Sequence, residues 1–212
     1  MNRKKPFVYK RVMAYFIDLI VITLISGILT IVFTNNEAYE EDSLRLMELT
    51  KELTSGEKTQ EEYYKEFDNI NYSLTKNSIS VTAITVSVSI VYYVILCYYC
   101  HGITLGKYIM HLKIVSANGK ELNLCHYLLR CLVVNMVLSN IVTIILIESL
   151  SKDTFINYYS RISNGFSILL LISFIMIMYR NDGRGIEDFM GNTKVINWKD
   201  EENVSEAIVI NK

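Results

Sequence analysis

Apolar residues run almost unbroken over four stretches, 12–33, 79–99, 127–147 and 164–179, and polar segments fill the intervals between them. At about 1.5 Å of rise per residue, about twenty apolar residues in a helix cross the hydrocarbon core of a bilayer. The pattern therefore predicts four transmembrane helices, the last near the lower limit of length for crossing. The second stretch is rich in Val, Ile, Ser and Thr, which in water would suggest strands. Uninterrupted over this length, it reads as a membrane helix, because open strands leave backbone groups unpaired in lipid.

The polar intervals carry weaker signals. Residues 34–78 form an acidic, tyrosine-rich loop with helical spacing expected over Asp42–Leu53 and Thr59–Phe67, split at Ser55-Gly56. Within it, Thr59-Gln60-Glu61-Glu62 has the form of a capping box, in which the threonine and the glutamate satisfy each other's backbone N–H. In residues 100–126, Leu112–Val115 reads as a short strand entering a turn at Asn118-Gly119, with Lys120–Leu122 leaving it. Residues 148–163 are expected as a short outer loop, and 180–212 as a tail with a turn-like cluster at Arg180–Arg184, a short helix at Gly185–Met190 and a strand at Asn192–Ile196. That last strand is in a position to pair with Lys113–Val115. The expected fold is an all-α membrane protein: a four-transmembrane-helix bundle with a small cytoplasmic β-hairpin-like layer.

Charge adds orientation. The net charge of −1 over 212 residues says little, but its distribution is uneven. Residues 1–11, the basic arm, carry Arg3, Lys4, Lys5, Lys10 and Arg11 with no acid, whereas residues 35–76 carry eleven Asp or Glu against five Lys or Arg. The positive-inside rule places both termini in the cytoplasm of a cell-membrane protein and the acidic loop outside. A cleaved signal peptide is not expected, because the first apolar stretch is long, contains Asp18 and is followed by no small-residue cleavage site.

Asp18 is the costly residue of this pattern. A carboxylate near a membrane-helix centre costs about 2.5–3.5 kcal/mol on insertion scales and seldom faces lipid. Arg11, Ala14 and Asp18 share one helix face, but two turns, about 10 Å, separate the arginine from the aspartate. Asp18 is therefore expected to find another polar partner, and Arg130, at the start of the third span, can turn toward it. Two readings stand side by side: an ion or proton site formed by Asp18 and Arg130, or a helix-locking pair of Asp18 with Arg130 or Arg184. Glu187 and Asp188 are expected at the cytoplasmic surface, capping a junction or binding a backbone turn.

Other motifs lead less far. Cys97-Tyr98-Tyr99-Cys100-His101 has the spacing of covalent haem attachment but falls on the cytoplasmic side, where such attachment is not normally made. His111, Cys125 and His126 extend it to a thiolate and imidazole set, with no finger-like spacing for zinc. Gly102–Lys107 is one residue short of a phosphate loop, and Tyr108 replaces its hydroxyl residue. No cofactor or metal is expected, and with no Ser-His-Asp or metalloprotease signature, neither is an enzyme.

Three blocks together resemble the RDD family of bacterial membrane proteins, named for one arginine and two aspartates. They are Arg11, Ala14, Ile17 and Asp18; Gly102-Ile103-Thr104-Leu105-Gly106-Lys107 with Leu112–Val115 and then Arg130; and Arg184-Gly185-Ile186-Glu187-Asp188 with Thr193-Lys194-Val195. Two positions depart from the family pattern: Asn192 stands where a glycine is usual, and so does His111. The resemblance implies Arg11, Arg184 and Asp188 as a structural polar network. It also implies either cation/proton transport or a non-transporting role as regulator or immunity-type partner of another membrane protein, acting through the acidic loop. The expected partners are the lipid bilayer and a second copy or another membrane protein, with no nucleic acid.

Overall fold

The computed structural model describes residues 8–34, 37–134 and 136–199. The protein is mostly helical, and among the described residues there are three helices long and apolar enough to cross a membrane, four if one bent pair is a single span, and one two-stranded antiparallel sheet. It is an all-α membrane protein with the small sheet layer expected from the sequence.

Helix α1 (Val8–Phe33) buries Ala14, Asp18, Ile22 and Ser26, one residue per turn. Elsewhere on it Phe16, Ile20, Leu24 and Ile28 are each more than half exposed. In water so broad an apolar face would drive association; among acyl chains it already lies in its preferred surroundings.

Helices α2 (Glu37–Ser55) and α3 (Gln60–Asn77) form an antiparallel hairpin longer than the two predicted segments. The chain reverses at Gly56, whose φ of 79° a side chain would strain. The capping box is present: Thr59 N donates to Glu62 Oε2 over 3.0 Å, and Glu62 N to Thr59 Oγ1 over 3.4 Å. Arg45 joins Glu48, Glu52 and Glu66, and Lys58 joins Glu52 and Glu66, so these three acids are answered by cations of the hairpin itself.

Helix α4 (Ile79–Ile90) continues through a π-helical stretch, Val91–Leu96, into the single turn α5 (Cys97–Tyr99). The short helix α6 (Leu105–Ile109) and strand β1 (Leu112–Ser116) follow. The expected third span is broken: α7 (Leu124–Val134) and α8 (Val137–Ser149) diverge by 70° at Met136, which has a left-handed φ of 51°. They answer to different neighbours, α7 to the π-helical stretch and the C-terminal helix α10 (Ile186–Met190), α8 to α4 and α9.

Helix α9 (Lys152–Tyr179) begins twelve residues before the expected fourth span and takes in most of the expected outer loop. Its first turns are anchored by Phe155, 1% exposed, which meets Tyr72 of α3 edge-on and stacks on Tyr159. The aromatic contact with the hairpin supplies the burial that hydropathy alone does not reveal.

Strand β2 (Thr193–Asn197) pairs with β1 across a long intervening chain, with Ile114 opposite Val195. Among the described residues β1 pairs with β2 and not with Lys120–Leu122; Gly119, at φ 75°, turns the chain toward α7 instead. Ile114 and Val195 join Ala14, Cys97, Tyr127 and Cys131 in one buried cluster, which ties the sheet to the ends of the apolar helices.

Candidate functional site: buried carboxylates beside a cavity

Asp18 is 1% exposed, and its partners come from the π-helical stretch itself and from the chain that follows it. Tyr92 Oη donates to Oδ1 over 2.6 Å, Thr104 Oγ1 to Oδ2 over 2.6 Å, and the backbone N of Gly106 to Oδ1 over 2.7 Å. Tyr92 in turn accepts from Leu105 N over 3.1 Å. Thr104 is the N-cap of α6, so one residue both starts the helix and holds the carboxylate. A Cβ on Gly106 would lie 2.1 Å from the Ala14 carbonyl oxygen, which is why α6 can rest directly on α1.

The cation beside Asp18 is Lys107, not Arg130. Its Nζ lies 3.7 Å from Asp18 Oδ2 and donates to Thr104 Oγ1 over 3.1 Å. Burial pushes the Lys107 ammonium below the ordinary lysine value of 10.5, against the opposing pull of the Asp18 charge.

Arg130 belongs to a second centre, built on Asp188, which is wholly buried instead of lying at the surface as expected. Arg130 Nη1 bonds Asp188 Oδ1 and donates to Thr193 Oγ1 over 2.6 Å; Arg11 Nη2 lies 2.5 Å from Asp188 Oδ2. Asp188 also accepts from Gly185 N over 3.1 Å, capping α10, so the capping expectation holds although the surface location does not. Burial alone would raise the Asp188 carboxyl, but the Arg130 and Arg11 guanidiniums outweigh it and hold it below the usual 3.8. Glu187, buried as well, accepts from Ser173 Oγ of α9 and lies 3.5 Å from Arg11.

Of the residues singled out in the sequence, Arg11, Arg130 and Asp188 meet. Asp18 pairs with neither Arg130 nor Arg184. Arg184 stands outside the network, bonded to Asp182 over 3.1 Å and lying over the Phe189 ring. Charge count explains the exchange of partners: Asp188 already takes two guanidiniums, and Asp18 is answered by hydroxyls, one amide and one ammonium. Both departures from the family pattern keep the left-handed backbone, with φ 47° at Asn192 and 59° at His111. The partners of Asp18 that sequence reasoning missed are Tyr92, Thr104, Gly106 and Lys107. Thr104 ahead of Leu-Gly-Lys carried an N-cap signal, whereas no motif set Tyr92 apart within the second apolar stretch.

Both centres face a cavity of about 330 Å³, with Arg11, Asp18, Lys107, Arg130 and Glu187 on its polar side. Tyr15 of α1 and Leu170, Phe174 and Ile177 of α9 line its apolar side. Among the described residues no three His, Cys, Asp or Glu side chains converge as a metal group, and the Cys97, Cys100 and His101 motif does not form one.

A membrane helix bundle with Asp18, Glu187 and Asp188 buried beside cations where its helices meet a small sheet is the class of protein that these features define. A family model described as the RDD family matches residues 5–192, and the chain belongs to that family. No curated protein matches the chain, and no solved structure does.

Proposed function

We propose that this protein is a multi-pass protein of the cell membrane that exchanges a cation for a proton at Asp18. Residues 1–11 and the segment after Tyr179 then lie in the cytoplasm and the α2–α3 hairpin lies outside, an orientation supported by the basic arm and the acidic hairpin. The observation that carries the proposal is the Lys107 ammonium, 3.7 Å from a buried carboxylate on a cavity wall. Lys107 occupies the place that an incoming cation would take. When Lys107 releases its proton as the neutral amine, one monovalent cation replaces the ammonium on Asp18 and one proton leaves. The site stays neutral in both states, which avoids the cost of a bare buried charge. Arg11, Arg130 and Asp188 position the elements around the exchange site. With the bent α7–α8 pair taken as one span, four spans make a small transport path, so the exchanger works as a homo-oligomer.

Cation-driven proton movement in proteoliposomes tests this. Asp18→Asn should abolish it in protein that still inserts and elutes as the wild type does; undiminished exchange would remove Asp18 from the mechanism.

One observation favours a second reading, a non-transporting regulator or immunity-type partner of another membrane protein. The hairpin docks through α3, while α2 turns Leu44 and Met47 outward, 62% and 58% exposed. Deleting residues 37–70 would abolish such a role and leave insertion intact; a phenotype that survives the deletion excludes it.

A further inference from the structure

The exchange site uses only the polar side of the cavity. The other side is apolar and lies between α1 and α9, the two longest of the membrane-crossing helices. These two helices do not rest on each other along their lengths: α1 packs on α4 and α6, and α9 on α8, α3 and α10. In the orientation proposed above, the gap beside Tyr15, Leu170 and Phe174 lies about one to three turns in from the cytoplasmic ends of both helices, in the leaflet where acyl chains begin. Its volume, about 330 Å³, falls in the range of small-ligand pockets, which are mostly apolar with a few placed polar groups. Water gains little from such walls, since buried water needs two to four polar partners.

Tyr93, one of the residues that line the same cavity, carries a polar group without a partner. The hydroxyl of Tyr93 is buried and meets no acceptor, although a buried O–H ordinarily has one. Lys107 Nζ lies 5.6 Å from the centre of the Tyr93 ring. A ligand that suits both features has an acceptor oxygen at one end and a hydrocarbon chain at the other.

We propose that this cavity binds an acyl chain, with the carbonyl or carboxylate oxygen of the ligand accepting from the Tyr93 hydroxyl and the chain running past Tyr15, Leu170 and Phe174 into the gap between α1 and α9. The ligand is a lipid-derived amphiphile, either a phospholipid through one ester-linked chain or a free fatty acid. Its chain closes the bilayer side of the cavity and keeps Asp18 and Lys107 from open lipid. The assignment does not depend on cation exchange, because it rests on the apolar wall and an orphaned hydroxyl.

Native mass spectrometry of delipidated full-length protein, with hexadecanoic acid or dipalmitoyl phosphatidylglycerol added back, tests it. The wild type should hold one adduct with at least one of the two probes, and the probe that binds identifies the source. Leu170→Trp, which fills the apolar side, should weaken retention about tenfold, and Tyr93→Phe about fivefold, the worth of one hydrogen bond. Absence of a specific adduct with both probes, or equal retention in wild type and Leu170→Trp, overturns the proposal. Retention unchanged in Tyr93→Phe overturns the placement of the head. A diazirine-bearing hexadecanoic acid gives a readout on the wild type alone: it should label peptides of α1 around Tyr15 and of α9 around Phe174, and labelling confined to other helices contradicts the site.

Discussion

Replacing Gly106 with alanine should separate α6 from α1. The added Cβ would sit 2.1 Å from the Ala14 carbonyl oxygen, 2.9 Å from its carbon and 2.9 Å from Asp18 Oδ1, two of these being backbone atoms that cannot rotate away. Relieving the closest contact to an ordinary 3.4 Å needs a shift of about 1.3 Å, which would stretch the Gly106 N to Asp18 bond from 2.7 Å to about 4 Å, beyond hydrogen-bonding range. Losing a hydrogen bond to a charged group costs about 1.5–3 kcal/mol, and overpacking adds about 1–3 kcal/mol. A destabilisation of about 3–5 kcal/mol corresponds to a melting temperature lower by roughly 6–20 °C in a chain of this size. Thermal unfolding in detergent micelles, followed by circular dichroism, measures it. A melting temperature within about 1 °C of wild type would refute the docking of α6 on α1.

Asp188→Asn leaves two buried guanidiniums facing a neutral amide and should cost about 3–5 kcal/mol in chemical denaturation, whereas Arg130→Met with Asp188→Leu should recover part of that loss. Because the folded-state pKa of Asp188 lies below 3.8, its contribution to stability is complete above that pH and is lost as pH falls toward the lowered value; an acid melt compared with Asp188→Asn checks it. Exchange should rise with pH before the 10.5 of an ordinary lysine is reached, since Lys107 gives up its proton more readily than a free side chain; a rate flat up to that pH in proteoliposomes speaks against it. Deleting residues 37–77 should leave the Asp188 centre formed, because the ion pairs of the hairpin are largely its own; a fall in stability as large as that of Asp188→Asn would contradict this.

Much of the architecture was legible because bilayer thickness imposes a length that sequence reports directly. Apolar runs located α1 and the α4 to α5 rod, and a capping box located the start of α3. The start of α9 was hidden because Phe155 is buried by an aromatic contact with α3, a tertiary event with no period in the chain. The break at Met136 was hidden for a similar reason, as α7 and α8 each follow a different neighbour. At the site, the expense of an intramembrane carboxylate implied that Asp18 is sheltered by polar partners, as it is, and helix spacing put Arg11 out of its direct reach. Its true partners are Tyr92 within the second span and Thr104, Gly106 and Lys107 at the short helix that follows it, and only the fold brings them there. Arg130 was drawn to the wrong carboxylate because proximity to a span end says nothing of which of two buried acids is already answered.

The account depends on Lys107 being a cation that can leave Asp18 by losing a proton. Lys107→Arg preserves the positive charge and removes that ability, since arginine does not deprotonate in proteins. Proton release on cation addition, followed with a pH-sensitive dye in proteoliposomes of wild type and variant, measures the difference directly. The account predicts release of about one proton per cation bound by wild type and none by Lys107→Arg, in protein of unchanged fold; equal release from both would contradict it.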